Sequence, residues 1–376
     1  MKIGVDARLL SMPLMGIGRY TAEMVRALKR QRANLHLYTT GKPVDSDWED
    51  TRTSLRVASA HHRLCRMLWS QSLLPYWASR DAVDVFWGTS HRIPRLLPTR
   101  VARVVTIHDL VWLHAGTTMR PLSRVMEEWL MPQAVRMADR VIADSASTAA
   151  DLEAAFPQLQ GRVRVVHLGP TAMPQPCGRE SLQAFGINRP YLLFVGTLEP
   201  RKNLVRLLEA FGRIPESLKD HFQLVIAGGK GWGNIDLNSL VRCLKLEKSV
   251  CLAGFVTDEQ LATLYAHAYT LVMPSLYEGF GLPLLEAMSF GVPVVTSDIS
   301  SLPEVAGNAA ILVDPFDVGS IVAGIAQVLT NNSLHAVLSA NAKGRAELFS
   351  WDKAATEVLE IFQEAVEERR QMASTD

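Results

Sequence analysis

Short apolar runs alternate with amphipathic stretches along the whole chain. The runs at residues 101–107 and 191–195 have the length and the apolar content of buried strands. Between such runs, apolar residues recur at helical spacing, as Tyr20, Met24 and Leu28 do, which is typical of a helix with one buried face. Continuously apolar strands that alternate with helices indicate a parallel sheet, so we predict an α/β fold.

A segment rich in proline and without periodicity interrupts this alternation after residue 170. At 376 residues, the chain is also longer than one hydrophobic core usually supports. We therefore predict an N-terminal domain over residues 1–170, a linker over residues 171–188 and a C-terminal domain over residues 189–350. Within the first domain, residues 41–60 are polar and irregular, and no element is predicted there.

The near-neutral total charge hides an uneven distribution. Residues 1–170 hold 23 Lys and Arg against 15 Asp and Glu, a net charge of +8. Residues 171–376 hold 16 against 23, a net charge of −7. A basic N-terminal half suggests an anionic partner for that half, either a membrane surface or an anionic substrate.

Residues 61–80 place basic side chains beside tryptophan and leucine. Arg63, Arg66 and Trp69 would suit a helix that lies on a membrane surface. The alternative is an ordinary helix packed on the sheet, with Pro75 cutting the stretch short.

The four cysteines, Cys65, Cys177, Cys243 and Cys251, have neither metal-site nor disulfide-framework spacing. They indicate reduced thiols in a cytosolic protein. The N-terminus shows no apolar leader, and no window approaches 18 uninterrupted apolar residues. We therefore expect neither a signal peptide nor a transmembrane helix.

The stretch at residues 270–293 combines a buried strand, a glycine loop and the start of a helix. Gly281 lies in the loop, and Pro283 lies where the first turn of a helix is expected. Backbone N–H groups and the helix dipole converge at such a point and favour an anion. Glu278 lies in the loop, and Glu286 lies one turn into the helix and leans back toward the loop. A carboxylate accepts two hydroxyl hydrogen bonds well, although a loop cap and a solvated helix residue would also explain the pair.

Arg201 and Lys202 follow the strand at residues 191–195 and precede a helix. Ligands of open α/β sheets bind beyond the carboxyl ends of the strands, so this pair could neutralise a diphosphate. The alternative is a solvated basic pair. Residues 144–147 (D-S-A-S) also follow a strand, and there a helix N-cap role is at least as well supported as a substrate role.

His108 and Asp109 follow the strand at residues 101–107 in the same way. A role in ligand binding competes there with a buried, hydrogen-bonded histidine and a capping aspartate. Gly16 and Gly18 form a glycine-rich loop after the first strand, which would let a ligand approach the backbone. The third glycine of the dinucleotide fingerprint is absent, so no NAD site is predicted.

The spacing Glu278-x7-Glu286 and the sequence G-T-L-E-P-R-K-N at residues 196–203 resemble the motifs of retaining glycosyltransferases of the GT4 group. The resemblance spans the chain and is densest over residues 191–315. It implies a GT-B fold, in which two Rossmann-like domains face a central cleft. The C-terminal helix, within residues 351–376, would cross back to the first domain.

The resemblance also implies roles for individual residues. The catalytic candidates, which it puts beside the donor sugar, are His108 and Glu278. The residues that it puts at the donor diphosphate are Gly16, Gly18, Arg201, Lys202, Gly281 and Leu282. Glu286 would bind the ribose, and Phe255 and Val256 would bind the base, although the residue type alone makes Phe255 a core residue. Thr197 departs from the pattern, because some relatives carry arginine there, so the phosphate contacts would be redistributed.

The implied activity is sugar transfer from a nucleotide donor with retention at the anomeric carbon. Neither a metal nor another cofactor is expected, because Arg201 and Lys202 supply the positive charge that a metal would bring. The I-G-V-D-A-R-L-L opening looks most like bacterial mannosyl- or rhamnosyltransferases of surface polysaccharide assembly, including O-antigen and lipopolysaccharide. This favours a GDP-sugar such as GDP-mannose and a glycan acceptor on a polyprenyl-diphosphate lipid. We expect a cytoplasmic enzyme, peripheral at the inner face of the membrane, with no nucleic-acid partner.

Other activities stay open from the sequence. A UDP-sugar-dependent glycosyltransferase and a nucleotide-sugar 2-epimerase would share the fold. A phosphorylase would need a pyridoxal lysine, which no segment suggests. A non-catalytic scaffold would have no need for the five polar residues that the resemblance identifies. The uneven charge could also help the two domains close over an anionic donor.

Overall fold

A computed structural model describes residues 1–12, 14, 16–45, 47–60, 62–233 and 236–374. The chain forms two compact units. The first unit comprises Met1–Leu110, Val125–Gly169 and Ser350–Asp376, and the second comprises Val111–Arg124 and Pro170–Phe349.

Seven parallel strands form the sheet of the first unit. They are β1 (Lys2–Asp6), β2 (Asn34–Thr39), β3 (Thr53–Val57), β4 (Val85–Gly88), β5 (Ala102–Ile107), β6 (Arg140–Ala143) and β7 (Val163–Val165). Their order across the sheet is β3-β2-β1-β4-β5-β6-β7. The strand order reverses between β1 and β4, and ligands of open α/β sheets bind at such a switch point.

The helices that contribute to the first unit are α1 (Ile17–Arg30), α2 (Arg63–Gln71), α3 (Leu73–Arg80), the larger part of α5 (Pro121–Met137), α6 (Ala146–Ala155) and α15 (Trp351–Ala373). Arg140 in β6 donates a 2.6 Å hydrogen bond to Glu368 in α15. The Trp351 ring of α15 lies 5.9 Å from the Tyr20 ring of α1. The predicted return of the C-terminal helix to the first domain is therefore confirmed.

Six parallel strands form the sheet of the second unit. They are β8 (Tyr191–Val195), β9 (Gln223–Ala227), β10 (Val250–Gly254), β11 (Thr270–Met273), β12 (Val294–Ser297) and β13 (Ala310–Val313). Their order is β10-β9-β8-β11-β12-β13, so the reversal falls between β8 and β11. Two parallel-sheet units confirm the predicted α/β fold with two Rossmann-like domains.

The helices of the second unit are α4 (Val111–His114), α7 (Leu204–Arg213), α8 (Glu216–His221), α9 (Leu237–Cys243), α10 (Asp258–His267), α11 (Leu282–Ser289), α12 (Leu302–Ala306), α13 (Val318–Thr330) and α14 (Asn332–Ala346). Short 3-10 helices occur at Arg8–Ser11, Gly116–Thr118, Pro157–Leu159, Arg179–Phe185, Pro200–Lys202 and Gly307–Ala309. The 3-10 helix Arg179–Phe185 lies within residues 171–188, for which the sequence predicted a linker.

Strand β3 lies within residues 41–60, where the polar composition predicted no element. It is the edge strand of its sheet and pairs with β2. Arg56 and Val57 of β3 are partly or largely exposed. An edge strand with exposed side chains needs little apolar sequence, and this explains why the hydrophobic pattern missed it.

Trp69 of α2 is buried, with 4% of its surface exposed. The Arg8 guanidinium lies 5.4 Å from its ring centroid, and the Trp77 ring lies 6.3 Å away. The expected membrane contact through Trp69 is therefore wrong. The Arg63 side chain lies outside the described residues.

Across the described ranges, no single helix is both long enough and apolar enough to cross a membrane. The segments Val318–Thr330 and Asn332–Met372 reach the required length and apolar content only when they are taken together, across a bend of 95°.

Candidate active site

The loops after β8 and β11 carry most of the predicted donor-binding residues and are fixed to each other. The Leu276 N–H donates to the carbonyl oxygen of Arg201 at 2.8 Å. The Asn203 side-chain Nδ2 donates to the Pro274 carbonyl oxygen at 2.9 Å. The two loops therefore form one surface at the carboxyl ends of the strands, where the strand order reverses.

Glu278 binds both cations of the neighbouring loop. Its Oε2 lies 2.5 Å from Arg201 Nη1, and its Oε1 lies 2.6 Å from Lys202 Nζ. Arg201 Nη2 also lies 2.8 Å from Glu199 Oε1. Glu278, Lys202 and Glu199 are all buried, so the alternative of a solvated basic pair is wrong.

Within the ion cluster of Arg201, Lys202 and Glu278, the carboxylate of Glu278 is ionised at neutral pH. Burial alone would raise the pKa of Glu278, but Arg201 and Lys202 lower that pKa to about 2. Burial also lowers the pKa of Lys202, and the Glu278 carboxylate opposes this effect. An incoming diphosphate would therefore compete with Glu278 for two cations that are already in place.

Helix α11 begins where the sequence predicted, with Gly281 as its N-cap and Leu282 as its first residue. Gly281 has a φ of +102°, and a Cβ there would lie 2.8 Å from Leu302 Cδ2. A larger residue would therefore be strained and would clash. Pro283 has no N–H, and the Leu284 N–H donates to the Gly281 carbonyl oxygen at 2.9 Å, so the Leu282 N–H and the helix dipole are the features suited to an anion. Glu278 lies three positions before Gly281, so this helix start adjoins the ion cluster.

Glu286 lies in the second turn of α11 and is 4% exposed. The Thr171 hydroxyl donates to its Oε1 at 2.6 Å, and the Tyr265 hydroxyl donates to its Oε2 at 2.8 Å. The alternative of a solvated helix residue is therefore wrong. Neither hydroxyl was predicted from the sequence, because Thr171 lies in the predicted linker and Tyr265 lies in an ordinary helical stretch.

Phe255 follows β10, and 71% of its surface is exposed. A Cβ added to Gly229 would lie 3.7 Å from its ring, so the glycine-rich loop after β9 runs beside it. Val256 is half-buried. The expectation from residue type that Phe255 belongs to the core is wrong, and its exposed ring is free to stack on a planar group.

Residues 111–124 belong to the second unit, although they lie between two strands of the first. The His114 ring stacks on Tyr277 with a centroid distance of 5.2 Å and an interplanar angle of 15°. Trp232 Nε1 donates to the Thr118 carbonyl oxygen at 2.5 Å. Tyr277 directly precedes Glu278, and its carbonyl oxygen accepts from Arg201 at 2.8 Å. This segment therefore supports the loop that carries the ion cluster, which the sequence did not predict.

His108 is buried between two acceptors at the carboxyl edge of the first sheet. Its Nδ1 lies 2.6 Å from Asp144 Oδ2, and its Nε2 lies 2.9 Å from the Thr89 carbonyl oxygen. Because a carboxylate and a carbonyl can only accept, both ring nitrogens donate and the ring is an imidazolium. Burial opposes this charge, but Asp144 outweighs it and raises the pKa of His108 above its ordinary value.

The helix N-cap role that was predicted for residues 144–147 is confirmed. Ser145 is the N-cap of α6, and its Oγ accepts from the Thr148 N–H at 3.1 Å. Asp144 holds the His108 ring instead. The contact of His108 with a donor sugar stays a prediction. Both ring nitrogens already donate hydrogen bonds within the first unit, so such a contact would have to form beside these bonds.

Two further titratable residues adjoin His108 and had no predicted role. The His108 main-chain N–H donates to His91 Nε2 at 3.0 Å. The other nitrogen of His91, Nδ1, lies 3.2 Å from Glu127 Oε2 and therefore carries the proton. Glu127 lies on α5, and no spacing in the sequence links it to residue 91 or 108.

Gly16 and Gly18 lie at the start of α1. Gly16 is the N-cap with a φ of +48°, and Gly18 already belongs to the first helical turn. The same helix brings the Tyr20 ring within 4.6 Å of the His108 ring. The part of both glycines in diphosphate binding stays a prediction.

In the part of the chain that the structure describes, no group of three or more His, Cys, Asp or Glu side chains is arranged to hold a metal ion.

Comparisons with known proteins agree with this architecture. The family model described as Glycosyltransferase Family 4 matches residues 15–170, and the model described as Glycosyl transferases group 1 matches residues 180–345. The chain is 34% identical to O-antigen chain mannosyltransferase B of Escherichia coli, with 96% of this chain and 99% of that protein covered.

Two solved structures share the fold at low sequence identity. WaaG, a glycosyltransferase involved in lipopolysaccharide biosynthesis, has a TM-score of 0.75 at 18% identity and covers 96% of this chain and 99% of its own. HepE of Anabaena in complex with UDP and glucose has a TM-score of 0.70 at 17% identity, with the same coverage. The chain has the GT-B fold and belongs to glycosyltransferase family 4.

Proposed function

We propose that this chain is a retaining mannosyltransferase that moves mannose from GDP-mannose onto a growing polysaccharide of the O-antigen type. The full-length similarity to the E. coli O-antigen mannosyltransferase supports the sugar and the product class. The main support for the proposed donor site is the buried ion cluster of Arg201, Lys202 and Glu278 beside the start of α11.

In the proposed reaction, the bond between mannose C1 and the diphosphate oxygen breaks while C1 bonds to an acceptor hydroxyl oxygen on the same face. The hydroxyl proton passes to the departing diphosphate. Negative charge grows on the diphosphate, so Arg201, Lys202 and the main-chain N–H of Leu282 stabilise the transition state more than the ground state. We propose no metal, because these groups supply the positive charge that a metal would bring.

Donor binding would redistribute the bonds of the ion cluster. The diphosphate would take the two cations that Glu278 now holds, and the carboxylate would become available to a hydroxyl of the donor sugar. Glu286 would accept hydrogen bonds from the ribose, and the exposed Phe255 ring with the neighbouring Val256 backbone would hold the base.

The nucleotide preference tests this proposal directly. We expect GDP and GDP-mannose to raise the melting temperature more than UDP-, ADP- or dTDP-sugars do. Glu286→Ala should weaken GDP binding about 10-fold or more, because each hydrogen bond to a charged group contributes roughly 1.5–3 kcal/mol. Isothermal titration calorimetry measures both effects. Glu216→Ala is the matched control, because that carboxylate of the same unit is 78% exposed.

Two outcomes would contradict the assignments. Unchanged GDP affinity in Glu286→Ala would exclude the ribose role of Glu286. A stronger response to UDP-sugars would favour a UDP-dependent transferase, an alternative supported by the fold shared with HepE, whose structure contains UDP. Release of a free isomerised nucleotide sugar without an acceptor would instead indicate an epimerase.

We also propose that the acceptor is lipid-linked and that the first unit contacts an anionic membrane. The unit exposes an apolar patch formed by Leu68, Leu73, Tyr76, Leu96 and Trp129, with exposed fractions from 37% to 71%. Arg95 links α2 to α5 in this region, because its main-chain N–H donates to Gln71 Oε1 at 3.0 Å and its guanidinium lies 5.6 Å from the Trp129 ring. Exposed apolar side chains together with arginine suit an interface with anionic lipid.

Vesicle sedimentation tests this contact. Binding to vesicles of phosphatidylglycerol should be clear at low salt and should fall steeply as salt screens the arginines. Leu68→Glu with Leu96→Glu should reduce binding at least about 10-fold, because each leucine would otherwise gain roughly 1.5–3 kcal/mol on full burial. The control is Leu348→Glu, at a leucine of the second unit that is 60% exposed. Equal binding by the double variant and the control would exclude the patch.

A further inference from the structure

We infer that Thr171 and Tyr265 are positioning residues for the ribose-binding carboxylate of Glu286. This inference rests on the proposed function, and it concerns how the carboxylate of Glu286 is held in place. The Thr171 hydroxyl donates to Oε1 and the Tyr265 hydroxyl donates to Oε2, so each carboxylate oxygen accepts one of these bonds. Both hydroxyls and the carboxylate are buried.

The two motif glutamates are held by different chemistry. Both oxygens of Glu278 lie against cations, whereas the two oxygens of Glu286 accept from neutral hydroxyls. A neutral hydroxyl fixes a carboxylate without cancelling its charge. A cation in the same position would compete with ligand hydroxyls for the oxygens.

The two hydroxyl bonds are divided evenly over the Glu286 carboxylate. The Thr171 hydroxyl donates to one oxygen and the Tyr265 hydroxyl donates to the other. Bonds to both oxygens also fix the rotation of the carboxylate plane. The carboxylate is thereby presented in one orientation before the ligand arrives, which removes an ordering cost from binding.

Tyr265 and Thr171 come from different parts of the second unit. Tyr265 lies on α10, fully buried, with its ring stacked 5.9 Å from that of Phe290. Thr171 is the second residue after the chain enters the second unit at Pro170. The bond from Thr171 therefore ties the entering segment to α11 through Glu286.

The experiment compares Thr171→Val, Tyr265→Phe and Thr171→Ser. Thr171→Val and Tyr265→Phe each remove one hydroxyl with little change in shape. We expect each to raise the Kd of GDP and the donor KM about 10-fold, with kcat at saturating donor within about twofold, because a bond to a charged group is lost. Thr171→Ser keeps the hydroxyl and should restore affinity. Thr263→Val is the matched control, because that buried hydroxyl donates to the Glu259 carbonyl oxygen instead.

Glu286→Ala separates failure of this inference from failure of the proposed function. If Glu286→Ala lowers GDP affinity while Thr171→Val and Tyr265→Phe bind normally, the positioning role is wrong and the ribose role stands. If Glu286→Ala binds GDP normally, the ribose role of Glu286 is wrong. Thr171 and Tyr265 then have no ribose-binding group to position, and the inference fails with it. A parallel loss of affinity in Thr171→Ser, or a fall in kcat with unchanged KM, would also overturn the inference.

Discussion

Replacing Lys202 by alanine should lower kcat at saturating donor about 10²–10³-fold and leave the fold intact. Removal of one preorganised group that stabilises developing charge typically has an effect of this size. Lys202 is buried, so its charge acts on a departing diphosphate with little screening by water. The fold should persist because Glu278 keeps its 2.5 Å ion pair with Arg201.

Steady-state kinetics with saturating GDP-mannose measure this effect, and circular dichroism with urea unfolding checks the fold. Lys248→Ala is the control, because that exposed lysine belongs to the same unit and lies away from the ion cluster. The double variant Arg201→Ala, Lys202→Ala should be less active than Lys202→Ala. Near-normal kcat in the double variant would exclude this cluster as the diphosphate site.

Glu278→Gln provides the complementary result. The amide keeps the shape of the side chain but removes the negative charge that now holds Arg201 and Lys202. GDP should therefore bind more tightly to this variant, while turnover falls because the predicted contact with the donor sugar is weakened. Weaker GDP binding would mean that Glu278 assists the diphosphate instead of competing with it.

The fold was predictable because central strands such as β8 and β11 are continuously apolar and buried. Strand β8 coincides with the apolar run at residues 191–195, and β11 comprises the apolar residues 271–273 together with Thr270. Edge strand β3 was not predicted from the hydrophobic pattern. Its exposed side chains face water, so they do not have to be apolar.

The residues of the candidate site were predictable where a charged side chain lies in the loop that follows a strand. Arg201 and Lys202 after β8 and Glu278 after β11 each showed a local signal, and the structure brings them within hydrogen-bonding distance. That the two strands are neighbours depends on the reversal of strand order between them, which local patterns do not encode.

The supporting residues were not predictable, because their contacts join distant parts of the chain. Thr171 lies 115 positions before Glu286, and His108 lies 36 positions before Asp144. Local capping rules pointed to the D-S-A-S segment, and they could not distinguish the capping Ser145 from Asp144, which binds His108. The position of a hydroxyl or a carboxylate in the sequence does not indicate which distant residue it will bind.

Replacing His108 by alanine should destabilise the protein by about 3–5 kcal/mol, because removal of one partner leaves Asp144 as a buried charge without its cation. The His108 and Asp144 side chains are 8% and 4% exposed, so water compensates little. Urea unfolding monitored by tryptophan fluorescence measures the loss. His167→Ala is the control, because that histidine of the same unit is exposed.

The same pair predicts the direction of a pH effect. Because the pKa of His108 is raised in the folded protein, its protonated ring stabilises the fold fully below the unfolded pKa of about 6.5. This stabilisation is lost as the pH rises through the folded pKa. The urea midpoint of the wild type should therefore fall on the alkaline side of about 6.5, and His108→Gln should lack this decrease.

Stability and activity together distinguish the two roles of His108. If His108→Ala is as stable as His167→Ala but loses turnover, the ring acts by contact with the donor sugar and the buried-cation assignment is wrong. If stability falls and His108→Gln keeps turnover at temperatures where it is folded, His108 serves to hold the edge of the first sheet. The structure favours the second result, because both ring nitrogens already donate to Asp144 and to the Thr89 carbonyl oxygen.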